Sequence, residues 1–343
     1  MDLIRFCDQC DRRFLIDTSV IEQETRCFAC LNVNVGGGKV SGSSKNAALK
    51  RALKKKEALV LETTGRYGGF VLPLRDLCIT TIINNMEKLD YITTFSPETK
   101  RQIARIISKH RKLDGFSLPL FLGPDEDTVE LFDCTKLTEE NLSEIAASCP
   151  NLSVLLLNLC GTCLIRCLLL GRMTDNNLSA LGEHVPLLSS LTLHGPFLCT
   201  AGGFAGLFQQ LSNLNVLNFE FAVKLSNESL GYLQEGCPQL RVLSLTDCPY
   251  INDQGIASIS KMTNLTELSL NSLGKIADES INQVLSVLGH QLSVLSLNKH
   301  EFLTDLTLES ITKHCVSLVE LSLQHCPLIT SGELTENSIE LTL

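Results

Sequence analysis

Two periods of hydrophobic spacing alternate along most of this chain. In Leu240-Arg241-Val242-Leu243-Ser244-Leu245-Thr246 the leucines alternate with Ser244 and Thr246, which is the period of a half-buried strand. In Ile251-x4-Ile256-x2-Ile259 and Leu225-x4-Leu230-x2-Leu233 the spacing is that of one helix face. The strand pattern recurs. Leu152, Leu188, Leu214, Leu240, Leu265, Leu292 and Leu318 each open a frame of the type L-x-x-L-x-L, and after a first interval of 36 residues they return every 25 to 27.

Repetition of strand, turn and helix at this period predicts an α/β leucine-rich-repeat solenoid. One such unit cannot bury its apolar side alone, so the stack supplies the core and terminal copies need caps. The last copy runs out at Ile339-Glu340-Leu341-Thr342-Leu343 without a polar cap, which suggests a truncated chain or an end covered by a partner. Cys134, Cys160, Cys248 and Cys326 stand three residues beyond the second strand leucine, and Cys149, Cys237 and Cys315 end helices. Thiols recurring at such places are small, buried packing residues. One departure interrupts the frame. Thr162 to Gly171 adds ten residues, including Cys163 and Cys167, and puts the geometry of the second repeat in doubt.

Composition narrows the function. The chain has 343 residues, 44% of them apolar and none of them Trp, in keeping with an aliphatic solenoid. Fifteen cysteines without a secretory signal point to a reducing, intracellular compartment, and the longest apolar stretch, near Leu164 to Leu170, is too short to span a membrane. Residues 1–60 carry 11 Lys and Arg against 7 Asp and Glu, leaving 18 against 31 for the rest, so a basic front precedes a body of net charge −13. Such a body is a poor polyanion binder. The positions expected on the concave face, Asn158, His194, Glu220, Thr246, Asn271, Asn298 and Gln324, with Ser244, Ser269, Ser296 and Ser322, are small and polar. They suit a folded protein or peptide, or serve as solvated scaffold. No nucleophile elbow, zinc-protease helix or phosphate loop is present, and of His194, His300 and His325 only the last two lie in adjacent repeats. The chain reads as a binding protein rather than an enzyme.

The front end carries its own chemistry. Cys7-x2-Cys10 and Cys27-x2-Cys30 have the spacing of two knuckles that close a tetrahedral thiolate cage around Zn2+. Four protein ligands leave no open position, so such a metal is structural, and its binding energy folds a segment too small for a core. Gly36 to Ser44 is a flexible linker by composition. Lys50, Arg51, Lys54, Lys55 and Lys56 form a basic helix suited to nuclear import, to phosphate contact or merely to solvation.

Pro73-Leu74-Arg75-Asp76-Leu77-Cys78-Ile79-Thr80-Thr81-Ile82 begins with Pro at a first helical position and sets Leu74, Cys78 and Ile82 on one stripe. An amphipathic helix of this kind needs an apolar groove, in its own domain or in a partner. Ser96-Pro97 then caps a second helix through Ile103, Ile106 and Ile107 to His110. The resulting organisation is a zinc-binding ribbon at 1–35, a flexible basic linker at 36–70, a helical adaptor-docking segment at 71–122 and the solenoid at 123–343.

The pattern Pro73-Leu74-x3-Cys78-x3-Ile82 resembles the Elongin C-binding box, in which the leucine enters an Elongin C pocket and the small cysteine allows close approach. The same stretch is loosely similar to an F-box, which would make the partner a Skp-type adaptor. Ribbon, basic linker with this helix, and cysteine-type repeats opening at Val129-Glu130-Leu131-Phe132-Asp133-Cys134 together resemble the Rad-seven family. That family is the leucine-rich-repeat subunit of fungal global-genome nucleotide excision repair. The resemblance implies a nuclear, non-enzymatic subunit that works with a Swi/Snf-type ATPase and joins Elongin C and a cullin in a ubiquitin ligase. It assigns the adaptor contact to Pro73, Leu74, Cys78 and Ile82. The alternatives are an F-box-like receptor unrelated to repair and a protein that contacts damaged DNA through the ribbon and basic helix.

Overall fold

The computed structural model describes residues 74–86, 89, 95–158 and 173–330, with the backbone alone at Arg75, Asp76 and short strands elsewhere. Packing divides the chain into two units, Met1–Ile92 and Thr93–Leu343. The division falls within the range 71–122 that sequence groups as one segment.

In the first unit, Leu3–Phe6 pairs antiparallel with Arg13–Ile16, and Arg66–Tyr67 with Phe70–Val71. Helix α1 follows at Leu74–Asn84. Cys7, Cys10, Cys27, Cys30 and the basic positions Lys50, Arg51, Lys54, Lys55 and Lys56 lie outside the described residues, as do Pro73 and the ten-residue insertion 162–171.

The second unit is the repeat stack. Its parallel sheet runs in sequence order through β1 (Thr128–Leu131), β2 (Val154–Leu157), β3 (Ser190–His194), β4 (Val216–Glu220), β5 (Val242–Thr246), β6 (Glu267–Asn271), β7 (Val294–Ser296), β8 (Glu320–Ser322) and β9 (Glu340–Thr342). Helix α2 (Pro97–Lys109) precedes the sheet. The repeat helices are α3 (Glu139–Ser148), α4 (Asp175–His184), α5 (Ala201–Phe208), α6 (Asn227–Gly236), α7 (Asp253–Ile259), α8 (Asp278–Leu288) and α9 (Asp305–His314). The register pairs leucine with leucine, as in Leu217, Leu243 and Leu268, so each strand presents the same face as its neighbour. Frame leucines, Ile251 and the α7 residues Ile256 and Ile259 are all buried, forming one continuous core between sheet and helices. Phe219 takes the last apolar place of its frame and joins Phe204 and Phe208 from α5, with ring centroids 5.4 and 6.1 Å away.

Polar groups at each helix start bind the stack together. The first helical residue of one repeat accepts hydrogen bonds from a threonine of the next, which in Thr200 and Thr304 is the capping residue. Asp175 accepts from the Thr200 backbone N–H (2.7 Å) and hydroxyl (2.6 Å), Asp278 likewise from Thr304 (2.9 and 2.8 Å), and Asp305 from Thr330 (2.7 Å each). Asp175 and Asp278 therefore each satisfy an orphan backbone donor of the following helix start. Backbone bonds add a second ladder, with Arg241 N–H donating to Asn215 and Thr266 N–H to Arg241, both at 2.8 Å.

The N-terminal edge of the stack has a built cap. Glu126 stands one repeat before Leu152, in the place of a frame leucine, and is only 4% exposed. Its carboxylate is met by Lys100 of α2 at 3.0 Å. Ile103, Ala104 and Ile107 of the same helix are buried, the Phe132 N–H donates to Ser108 Oγ at 3.1 Å, and Arg111 meets Asp133 at 2.8 Å. Across the long first interval the sheet keeps its register, Val154 against Ser190 and Leu157 against Leu193. Helix α4 also starts with the usual Thr174 capping box. The described part of the second repeat is therefore regular, and the doubt that the insertion raised about its geometry does not apply there.

Candidate docking helix and the faces of the solenoid

Helix α1 has two apolar sides. Leu74 is 77% exposed and Cys78 is also exposed, with Ile82 partly buried one turn further on. The opposite side holds Ile79 and Ile83, at 3% and 9% exposure. At about 100° per residue, Leu74 and Cys78 lie close to one generatrix of the helix, while Ile79 and Ile83 sit roughly a quarter to half a turn away. Sequence spacing alone could not tell which stripe is internal. An exposed leucine on a helix otherwise held by its own buried stripe is the geometry of a knob offered outward. Polar groups on the remaining surface are spent locally, with the Thr81 hydroxyl donating to the Leu77 carbonyl and the Asn85 amide to Thr81, both at 2.8 Å.

The concave face is polar, as its sequence predicts, and much of that polarity is satisfied internally. Asn271 Oδ1 accepts from the Ser296 hydroxyl (2.8 Å) and the Asn298 N–H (2.9 Å), and Asn298 Oδ1 accepts from Ser322 (2.8 Å) and the Gln324 N–H (2.6 Å). These asparagines make a ladder that fastens one repeat to the next. His194 is buried, 3.2 Å from the Glu220 carboxylate and edge-on to Phe221 at 5.2 Å between ring centroids.

His300 and His325, although in adjacent repeats, have different surroundings. His300 is buried and donates from Nε2 to the Leu270 carbonyl at 2.7 Å, whereas His325 is exposed. Burial pushes the His300 pKa below its usual 6.5, opposed by the bond to Leu270. The corresponding residue of the next repeat, Cys326, sends its thiol to the Leu297 carbonyl at 3.0 Å. His300 thus fills the cysteine position of its repeat and makes the same inter-repeat bond, which sequence missed because residue type changes while role does not.

The repeat cysteines occupy packing positions. Cys199 donates to Met173 and Cys237 to Phe208, each at 3.5 Å across a repeat boundary. Burial pushes the thiols of Cys237 and Cys248 up to about 12 and that of Cys315 to about 11. Such thiols stay protonated at neutral pH and are poor nucleophiles and poor metal ligands. Among the described residues, no group of three or more His, Cys, Asp or Glu side chains is placed to hold a metal ion, and no helix is long and apolar enough to cross a membrane.

No protein-family model matches the sequence. Among curated proteins, the chain is 29% identical over 332 residues to the DNA repair protein Rhp7 of Schizosaccharomyces pombe, covering 96% of this chain and 57% of that protein. It is 26% identical over 279 residues to the DNA repair protein Rad7 of Saccharomyces cerevisiae, covering 75% of this chain and 47% of that one. The chain thus spans about half the length of these relatives. Among solved structures, that of a yeast Rad7 and Elc1 complex overlays with a TM-score of 0.45 at 18% identity, covering 85% of this chain and 83% of that chain. The likeness to these two DNA repair proteins extends over most of the chain, nearly all of it in the case of Rhp7.

Proposed function

We propose that this chain is a non-enzymatic scaffold of a nuclear DNA-repair complex, serving global-genome nucleotide excision repair as the adaptor that brings Elongin C, and through it a cullin, to the repair machinery. Likeness to curated relatives that are named DNA repair proteins supports the repair setting. The observation that carries the adaptor role is the outward Leu74–Cys78 edge of α1 above a separately buried Ile79–Ile83 stripe. An exposed leucine with a small residue one turn away can enter a preformed pocket while the opposite stripe stays buried. Pro73 and Ile82 extend that edge in sequence.

In this reading Cys7, Cys10, Cys27 and Cys30 hold a structural Zn2+. Support for this comes from the sequence, in which two C-x2-C pairs stand at the spacing of a tetrahedral thiolate site. The ion would neutralise four thiolates and fix the ribbon's shape. The ribbon and the polar concave face are the surfaces left for a Swi/Snf-type ATPase partner, and Lys50, Arg51, Lys54, Lys55 and Lys56 are available for nuclear import or for contact with DNA phosphates.

Capture of purified Elongin C and of a Skp-type adaptor by the wild-type chain and by Leu74→Asp and Cys78→Asp tests the proposal. Retention of Elongin C by the wild type and its loss from both variants is expected. Preferential capture of the Skp-type adaptor would instead make the chain an F-box-like receptor, and equal capture by wild type and variants would remove α1 from the contact.

A further inference from the structure

On the convex side, the stack opens a recess between α6 and α7. Helix α7 spans 7 residues, against 10 in α6 and 11 in α8, so it leaves part of the outer surface of α6 uncovered. The recess is broad and open to solvent, with a volume of about 940 Å³. Glu228, Gly231, Tyr232 and Glu235 line it from one stripe of α6, facing Tyr250 and Gln254. Its chemistry is one-sided, since the lining holds two carboxylates and two tyrosines but no basic residue. Glu228 and Glu235 are exposed, and Tyr250, just ahead of α7, is 65% exposed. At Gly231 an added Cβ would meet nothing within 4 Å, so this glycine leaves the floor open without being required by close packing.

We propose that this recess is a docking site for an extended lysine- and arginine-rich peptide segment of a partner protein. Charge complementarity argues for this occupant. Carboxylates at both ends of the α6 stripe would pair with cationic side chains, and tyrosine rings between them offer the π-faces that lysine and arginine prefer. The net charge of −13 on residues 61–343 would draw such a segment in and repel a polyanion. The site lies on the repeat stack and does not depend on α1, so it stands or falls independently of the Elongin C contact.

The test uses the full chain and a fluorescein-labelled peptide of alternating lysine, arginine, glycine and serine, followed by fluorescence anisotropy. A peptide with glutamine in place of every basic residue serves as the uncharged probe. The basic peptide is expected to bind and the uncharged one not to. Glu228→Gln with Glu235→Gln should weaken binding about tenfold, and Tyr250→Ala several-fold. The charge-matched pair Glu183→Gln with Glu309→Gln, on exposed positions of α4 and α9, should leave it unchanged. Gly231→Leu fills the recess and replaces a mid-helix glycine, so it should abolish binding while the melting temperature holds or rises. Equal weakening by the charge-matched pair would reduce the effect to the general field of an acidic body and overturn the site. Full binding by Gly231→Leu, equal binding of the uncharged probe, or no binding by the wild type would overturn it as well.

Discussion

Glu126 and His300 show how single residues depart from the repeat rule while keeping its geometry. Glu126 puts a carboxylate where other repeats bury leucine, and Lys100 at 3.0 Å is what makes it tolerable. Removing one partner of a buried pair leaves an uncompensated charge, so Lys100→Met should lower stability by about 3 kcal/mol. Adding Glu126→Leu should restore most of the loss, as read by urea unfolding of the single and double variants. His300 gives the stack a pH dependence. Its folded pKa lies below 6.5, so the folded state binds fewer protons than the unfolded chain just below that value. The stability it contributes is complete above pH 6.5 and is lost as pH falls from there through the depressed folded value. His300→Cys, which substitutes the residue used at the same place in the next repeat, should flatten the fall in melting temperature across that window. Six successive repeats also place one residue in the left-handed region, at Gly195, Phe221, Asp247, Ser272, Lys299 and His325, with φ between 52° and 75°. This regularity was illegible in the sequence because only one of the six is the glycine that such a conformation favours.

At the scale of the element, α1 is read correctly as a helix from its Pro-Leu start and apolar spacing, but the buried stripe is Ile79–Ile83, not Leu74–Cys78. A helix apolar on both sides carries two stripes, and only packing decides between them. The two faces predict separable phenotypes. Ile79→Ala should destabilise the fold by about 3 kcal/mol through lost burial and a residual cavity. Leu74→Asp should leave the thermal transition where it is, since that side chain is already in water. The repeat helices were more legible. Ser96 caps α2 as its sequence suggests, and the apolar triplets Leu225, Leu230, Leu233 and Ile251, Ile256, Ile259 are all buried. Carboxylates that follow the caps read as ordinary first-turn acids, yet they bind the next repeat. Sequence shows the acid and the cap separately, and only stacking brings them into hydrogen-bond reach.

For the whole molecule, stability is a chain of nearest-neighbour interfaces, so damage should spread from the broken rung and stop. Asp278 joins α8 to the start of α9 through three hydrogen bonds, from Thr304 N–H, Thr304 Oγ1 and Thr307 Oγ1. Asp278→Ala should speed amide hydrogen exchange in α9 and β8 while α3 to α5 keep wild-type protection. Uniform acceleration from end to end would show a single cooperative block instead. The solenoid was visible from a period of 25 to 27 residues, whereas its N-terminal edge was not, because α2 and Glu126 depart from the frame they complete. The central claim, the proposal that α1 is a docking helix for Elongin C, is tested most directly by titrating purified Elongin C into the full chain in a calorimeter. Saturable one-to-one binding that Leu74→Asp weakens about a hundredfold, with the melting temperature unchanged, is the predicted result. Heat of binding identical for wild type and Leu74→Asp, or none for either, would contradict it.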